Sequence, residues 1–375
     1  MRCYGLISGL KINVQKSLLF GIGITHPEVD LVVNRMGINQ GTFLLTYLGF
    51  PLGVNMNICR YWQPVIDKFQ KRLTKWKSKC LSIGGRLTLV QSVLSRLPLY
   101  FFSLFKAPEK IIEQLERLRR RFFWAGKSDG SCISWVAWAD ILTPKSLGGL
   151  GLGSLKVNGK PGGLWKSITK VKDVLSKRGM ELQSILSANE FVVADVRLKF
   201  DTSTVLNPHH NFLWNNWVPK KVNVRNWRAS RDRLPTLTQL YKRGITPCSL
   251  LCSWCNSNKE TIDHILTACP LALEVWEQIS SWCKVQIFAF HVSDLQNIHF
   301  SFAGDKNWRK MINAIILATI WSLWKARNDA FYRKFNASPK MIFEEVRSLA
   351  LLWIVNKANQ LKIDWDSWCN KPSVT

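Results

Sequence analysis

Residues 252–270 read CSWCNSNKETIDHILTACP, a C-x2-C-x8-H-x4-C pattern. Two thiolates two residues apart can grip one metal from a tight turn. A His and a third Cys, five positions apart in a helix-like run, can close a tetrahedron around it. Three soft sulfurs and one imidazole suit zinc in a closed structural site, which has no open coordination position for catalysis. The expected cofactor is therefore one structural Zn2+ held by Cys252, Cys255, His264 and Cys269. The competing reading is a set of reduced core side chains, because free Cys is often buried as a small hydrophobe. Against it, three of the ten cysteines and one of the six histidines fall between positions 252 and 269. Cys248 is an alternative ligand, and Cys283 reads as packing.

The stretch running into this cluster is basic. From Lys220 to Arg243 there are eight Lys or Arg residues and one acid, preceded by Trp214 and Trp217. Lys220, Lys221, Arg225, Arg228, Arg231 and Arg233 are the expected phosphate contacts, with the metal holding the shape and the cations supplying affinity. The whole chain carries a formal charge of +27 over 375 residues. An excess that large favours a polyanionic partner, RNA and/or DNA, through neutralisation and counterion release. Few and unevenly spaced cysteines do not form a secreted disulfide framework, so an intracellular, reducing location (nucleus or cytoplasm) is expected. The apolar stretch 18–24 lacks a small-residue cleavage site, and Met311 to Trp324 is interrupted and too short to span a bilayer. No membrane association is expected.

Further upstream, Trp62, Val65, Phe69, Leu73 and Trp76 recur at steps of three and four, one face of a helix. Lys68, Lys71, Arg72, Lys75 and Lys79 lie around its other side and form a second candidate nucleic-acid surface. A second helix is expected over 85–104, after a break at Gly84-Gly85, and a third over 109–124, whose end is crowded by Arg117, Arg119, Arg120 and Arg121. Residues 1–55 read as short strands and turns, 126–165 as Gly-rich loops, 156–205 as linker, and 305–360 as helical. The fold class is α+β, mostly helical.

Catalytic chemistry is not legible. Phosphodiester enzymes need clustered carboxylates to hold two metal ions, and the chain has no Asp-Asp pair. Asp364-x-Asp366 sits in a tail, Glu344-Glu345 on a helix surface, and His209-His210 in a loop. Gly126-Lys127-Ser128 is not a phosphate-binding loop, because Arg121 stands where the first glycine is required. Residues 148–153 (GGLGLG) read as a chain reversal.

Together the segments resemble the carboxy-terminal part of plant LINE-type (non-LTR) retrotransposon reverse transcriptases. SGLKINVQKS (8–17) is similar to the segment after the family's catalytic Asp-Asp strand, and YLGFPLG (47–53) to the turn supporting the primer end. Residues 76–124 are similar to its thumb-like helices and 134–155 to its W…PK…GGLG stretch. WVPKKVNVRNWRASRDRLPTLTQLYKRGI with the Cys/His cluster resembles its zinc-binding domain, and 320–335 the helix that follows. The resemblance implies a truncated palm remnant at 1–55, helical thumb at 56–125, Gly-rich loop and linker at 126–205, zinc-binding domain at 206–285, and C-terminal helical segment at 286–375. It also implies that the catalytic Asp-Asp motif lies outside this chain, and no ribonuclease H segment is recognised at its end. The expected function is a zinc-stabilised nucleic-acid-binding remnant that is not an enzyme. The alternatives are an accessory part of an RNA-directed DNA polymerase whose palm is supplied in trans, with Lys11 and Lys16 near its active site, or a domesticated protein-interaction module.

Overall fold

The computed structural model describes residues 13–41, 46–47, 50–51, 53–75, 81–102, 104–125, 133–155, 212–358 and 363–372. The fold is α+β and mostly helical. Its described strands are four short pieces, β1 (Leu18–Leu19) parallel to β2 (Asn39–Gln40), and β3 (Thr46–Tyr47) antiparallel to β4 (Phe50–Pro51). Between β1 and β2 lies a helix, α1 (His26–Met36), where the sequence pattern suggests strands and turns. Its start is set by Glu28, whose carboxylate accepts from the Thr25 N–H and hydroxyl at 3.0 and 2.8 Å. These bonds hold the Glu28 carboxyl below its ordinary range. Pro27 in the first turn and Gly37 at φ 63° complete the start and stop signals.

The described chain divides into two compact units, Met1–Lys68 with Leu97–Leu115, and Phe69–Arg96 with Glu116–Thr375. In the first, Trp62 is fully buried, its ring 6.0 Å from Phe101 and 5.8 Å from Phe102, and its indole N–H donates to Met56 O. The periodic face of α2 (Gln63–Lys75) is inward: Val65, Phe69 and Leu73 are buried like Trp62. Trp76 and Lys79 lie outside the described residues, as do 1–12, 126–132 and 156–211, which hold Lys11, Gly126-Lys127-Ser128, His209-His210 and the linker.

In the second unit, the helix expected over 85–104 starts earlier and ends earlier. Ser82 caps α3 (Ile83–Leu89) by accepting from Gly85 N–H at 3.2 Å, and the chain continues through a π turn over Val90–Leu94. Pro98 then enforces a break, since it lacks an N–H and bars its predecessor from helical torsions. A short α4 (Leu99–Phe102) follows, in the part of the chain that belongs to the first unit. Gly84-Gly85 is therefore not a helix break. A Cβ on Gly84 would lie 2.6 Å from the Lys221 nitrogen and 3.1 Å from its Cα, so this glycine permits two helices to touch. Gly84→Ala should lower the urea midpoint by the equivalent of about 1–3 kcal/mol, the cost of overpacking against unyielding backbone. Gly85→Ala meets nothing closer than 3.6 Å and should be neutral or stabilising. Equal midpoints for the two variants would refute the close-approach account.

Helix α5 (Glu109–Ala125) matches the expected third helix, with Ile111, Leu115, Leu118 and Phe122 buried. Arg117, Arg120 and Arg121 are exposed, but Arg119 is interior. It pairs with Glu116 at 2.9 Å and donates to the Leu152 and Gly153 carbonyls, pinning the GGLGLG stretch to the helix. That stretch does reverse the chain. Gly151 N–H donates to Thr143 O and Gly153 N–H to Leu142 O, beside the short α6 (Trp138–Leu142). At Gly149 a Cβ would sit 2.0 Å from Thr143 O, which no side chain tolerates.

The rest of the unit is built on α7 (Lys220–Ala229), α8 (Leu237–Tyr241), α9 (Pro270–Cys283), α10 (Val292–Asn297), α11 (Lys306–Arg333), α12 (Pro339–Lys357) and α13 (Trp365–Asn370). Helix α11 holds the Met311–Trp324 run and is buried on most sides there, so the run is a core helix. Among the described residues no helix is long and apolar enough to cross a membrane. α11 packs on α12 and α7, α9 packs on α12, and α7 packs on α3. A buried amide network sets the α7–α11 register: Asn215 Nδ2 donates to Asn313 Oδ1 at 2.9 Å, and Asn226 Nδ2 donates to Leu317 O at 3.2 Å. Asp364 caps α13, which explains Asp364-x-Asp366 as a helix start.

Candidate metal centre and nucleic-acid interface

The Cys252–Cys255 segment is a tight hairpin. Asn256 N–H returns to Cys252 O at 2.9 Å, Cys252 N–H donates to Asn258 O at 2.8 Å, and Asn256 adopts φ 53°. His264 opens the turn 264–268, its N–H held by Thr261 Oγ1 at 3.1 Å. Cys269 ends that turn, its N–H on His264 O, and begins α9 with Pro270 in the first helical position. Local hydrogen bonding thus aims all four side chains inward.

The donor atoms of Cys252, Cys255, His264 and Cys269 all lie within 4.8 Å of one another. Cys252 Sγ is 4.0 Å from Cys269 Sγ, and Cys255 Sγ is 3.3 Å from His264 Nε2. Tetrahedral zinc at ordinary bond lengths separates two sulfurs by about 3.8 Å and a sulfur from a nitrogen by about 3.6 Å. The residues therefore fit the ion. Backbone N–H groups of Cys255 and Trp254 also point at Cys252 Sγ, and that of Leu271 at Cys269 Sγ. Such bonds stabilise thiolate charge and fix ligand orientation. The close contact between the two sulfurs brings Cys252 down to about 4 and, together with burial, pushes Cys269 up. Cys252 and Cys269 are buried, whereas Cys248 is exposed and outside the cluster. Cys283 is buried in α9, and burial pushes its thiol up.

Upstream in sequence, the basic residues of α7 and of the segment just after it take different roles. Lys220 and Lys221 are exposed, and the Lys220 ammonium reaches Thr88 Oγ1 at 3.2 Å. Lys221 and Arg225 sit over the Trp321 ring at 5.3 and 4.2 Å. Arg228 lies over Trp124 and Trp135 at 5.6 and 5.4 Å and donates to Arg233 O. Burial lowers Arg225 to about 10; burial, with the Arg225 and Arg243 charges, lowers Arg228 to about 9. Arg231 is occupied internally, donating to Gly148 O at 2.6 Å beside Asp140 at 3.6 Å. Arg233 is exposed. Among the described residues no carboxylate lies within ion-pairing distance of Lys220, Lys221, Arg225, Arg228 or Arg233. On α2, Lys68, Lys71 and Arg72 are exposed; the side chain of Lys75 lies outside the described residues, as does that of Lys16 in the upstream segment. Three residues that the sequence reading did not select, Trp124, Trp135 and Trp321, join Arg86, Lys221, Arg225 and Arg228 around one cavity of about 490 Å3.

Residues 196–276 match the family described as zinc-binding in reverse transcriptase. An Arabidopsis thaliana protein named "Putative ribonuclease H protein" is 34% identical over 92 residues, which is 24% of this chain and 15% of that protein. The alignment thus spans a small share of that relative's length. The two matches support a retrotransposon-derived protein carrying a zinc-binding segment.

Proposed function

We propose that the chain is a nucleic-acid-binding remnant of a LINE-type retrotransposon reverse transcriptase, with one zinc ion folding its binding module and no polymerase chemistry of its own. The observation that carries this reading is the four-donor cluster, preceded in sequence by Lys220, Lys221, Arg225, Arg228 and Arg233, which have no carboxylate partner among the described residues. Cys252, Cys255, His264 and Cys269 would hold the metal, which supplies a structural cross-link. Lys220, Lys221, Arg225, Arg228 and Arg233 would meet phosphates, and their lack of described acidic partners leaves charge available for that role. The matched family and the ribonuclease H name of the Arabidopsis protein both belong with nucleic-acid handling.

The test is RNA binding by the purified full chain across a salt series, with and without a strong zinc chelator. Binding should fall steeply with salt and weaken on chelation. Lys220→Ala and Lys221→Ala should each reduce the salt slope by about one unit and weaken all sequences alike. Binding indifferent to the chelator would reduce the module to a basic surface, and no binding at all would end the proposal.

A further inference from the structure

The cavity beside α7 has a composition that general phosphate contact does not require. Tryptophans from three distant segments, Trp124, Trp135 and Trp321, meet there with Lys221, Arg225 and Arg228. Cations on a smooth electrostatic face are normally exposed and mobile. Here Arg225 and Arg228 are half-buried and held against indole faces at 4.2 to 5.6 Å. Clustered guanidinium groups repel one another, and among the described residues no carboxylate offsets them. An anion entering the cavity would. Trp124 is 9% exposed, and its indole N–H has no partner among the described residues.

Aromatic faces and guanidinium planes both accept a stacked base, and stacking does not depend on sequence. A volume of about 490 Å3 falls within the ordinary range for small-ligand pockets and suits a single base with its phosphate. A base inside a duplex has both faces covered by its neighbours and cannot enter unless it is first extruded. We propose that this cavity takes one unstacked nucleotide of a single-stranded nucleic acid, with the base against the tryptophans and the phosphate on Lys221, Arg225 and Arg228. This rests on the nucleic-acid reading above and narrows it to single strands.

The experiment uses the full zinc-loaded chain and a labelled RNA strand of about 12 nucleotides, within the usual site sizes for such grooves. The same sequence is presented as a duplex, with AMP and inorganic phosphate as competitors. Trp321→Leu should weaken single-strand binding by about 5-fold to 100-fold, the range for losing one stacked base, and leave duplex binding nearly unchanged. In the unaltered protein, 4-thiouridine in the strand should crosslink to peptides holding Trp124, Trp135 or Trp321, which decides the matter should the variant not fold. Equal loss for strand and duplex, or crosslinks confined to other peptides, would overturn the assignment. Competition by AMP as effective as a strand would replace the strand with a free nucleotide, and equal competition by phosphate would reduce the cavity to an anion site. Salt-insensitive or undetectable binding of both forms would instead sink the broader nucleic-acid proposal.

Discussion

His264→Ala should take bound zinc from one ion per chain to none and unfold residues 214–282. Structural zinc in small modules contributes about 10–16 kcal/mol of apparent binding free energy at neutral pH, which is folding free energy wherever no site preexists in the unfolded chain. The hairpin 252–259 is held mainly by its own turn hydrogen bonds and has few buried apolar side chains. Without metal, Cys252 and Cys269 keep only a sulfur–sulfur contact of 4.0 Å between them. Cys252→Ser, Cys255→Ser and Cys269→Ser should behave like His264→Ala. Cys248→Ser should keep its zinc, because that thiol is exposed and outside the cluster. The readouts are zinc released per chain and hydrogen exchange across 214–282. Full zinc retention by His264→Ala, or loss from Cys248→Ser, would reject the assigned ligand set.

The four-donor cluster was legible because Cys252, Cys255, His264 and Cys269 sit in one short stretch whose spacing brings their side chains together. The periodic faces of α2 and α5 were legible for the same reason: an i, i+3, i+4 pattern is local. Helix α1 had local signals too, in Thr25, Pro27, Glu28 and Gly37, but its apolar period is weak, with Val29 its one buried residue. The Gly84-Gly85 pair shows a different limit. Glycine reads as a break from sequence, yet here it is a contact point, and only the approach of Lys221 distinguishes the two. The aromatic cavity was illegible in principle, since Trp124, Trp135 and Trp321 are far apart and no periodicity relates them. Arg119 and Arg231 looked like surface charge and prove to be internal ties to the GGLGLG stretch. That stretch carries no chemistry, but its carbonyls gather α5 and α7.

The buried pair Glu260–Arg327 carries the other large effect. Glu260 is fully buried and Arg327 is 1% exposed. Arg327 Nε donates to Glu260 Oε2 at 3.1 Å, a second guanidinium N–H reaches Oε1, and Leu237 N–H also donates to Oε1 at 2.9 Å. Glu260→Gln keeps the shape and leaves the guanidinium charged, buried and without its counter-ion, so stability should fall by about 3–5 kcal/mol. That is a large share of the roughly 5–15 kcal/mol by which a domain is stable. Replacing both charges, as Glu260→Leu with Arg327→Leu, should recover most of the loss, since the pair's desolvation cost nearly cancels its attraction. A loss below about 1 kcal/mol in the single variant would mean the pair behaves as a solvated surface bridge. Glu260 lies between Cys255 and His264, at the base of the metal hairpin, whereas Arg327 belongs to the central helix α11. The pair therefore ties the zinc-binding segment to the core, and Glu260→Gln should also speed zinc release to a chelator, which a purely local metal site would not show.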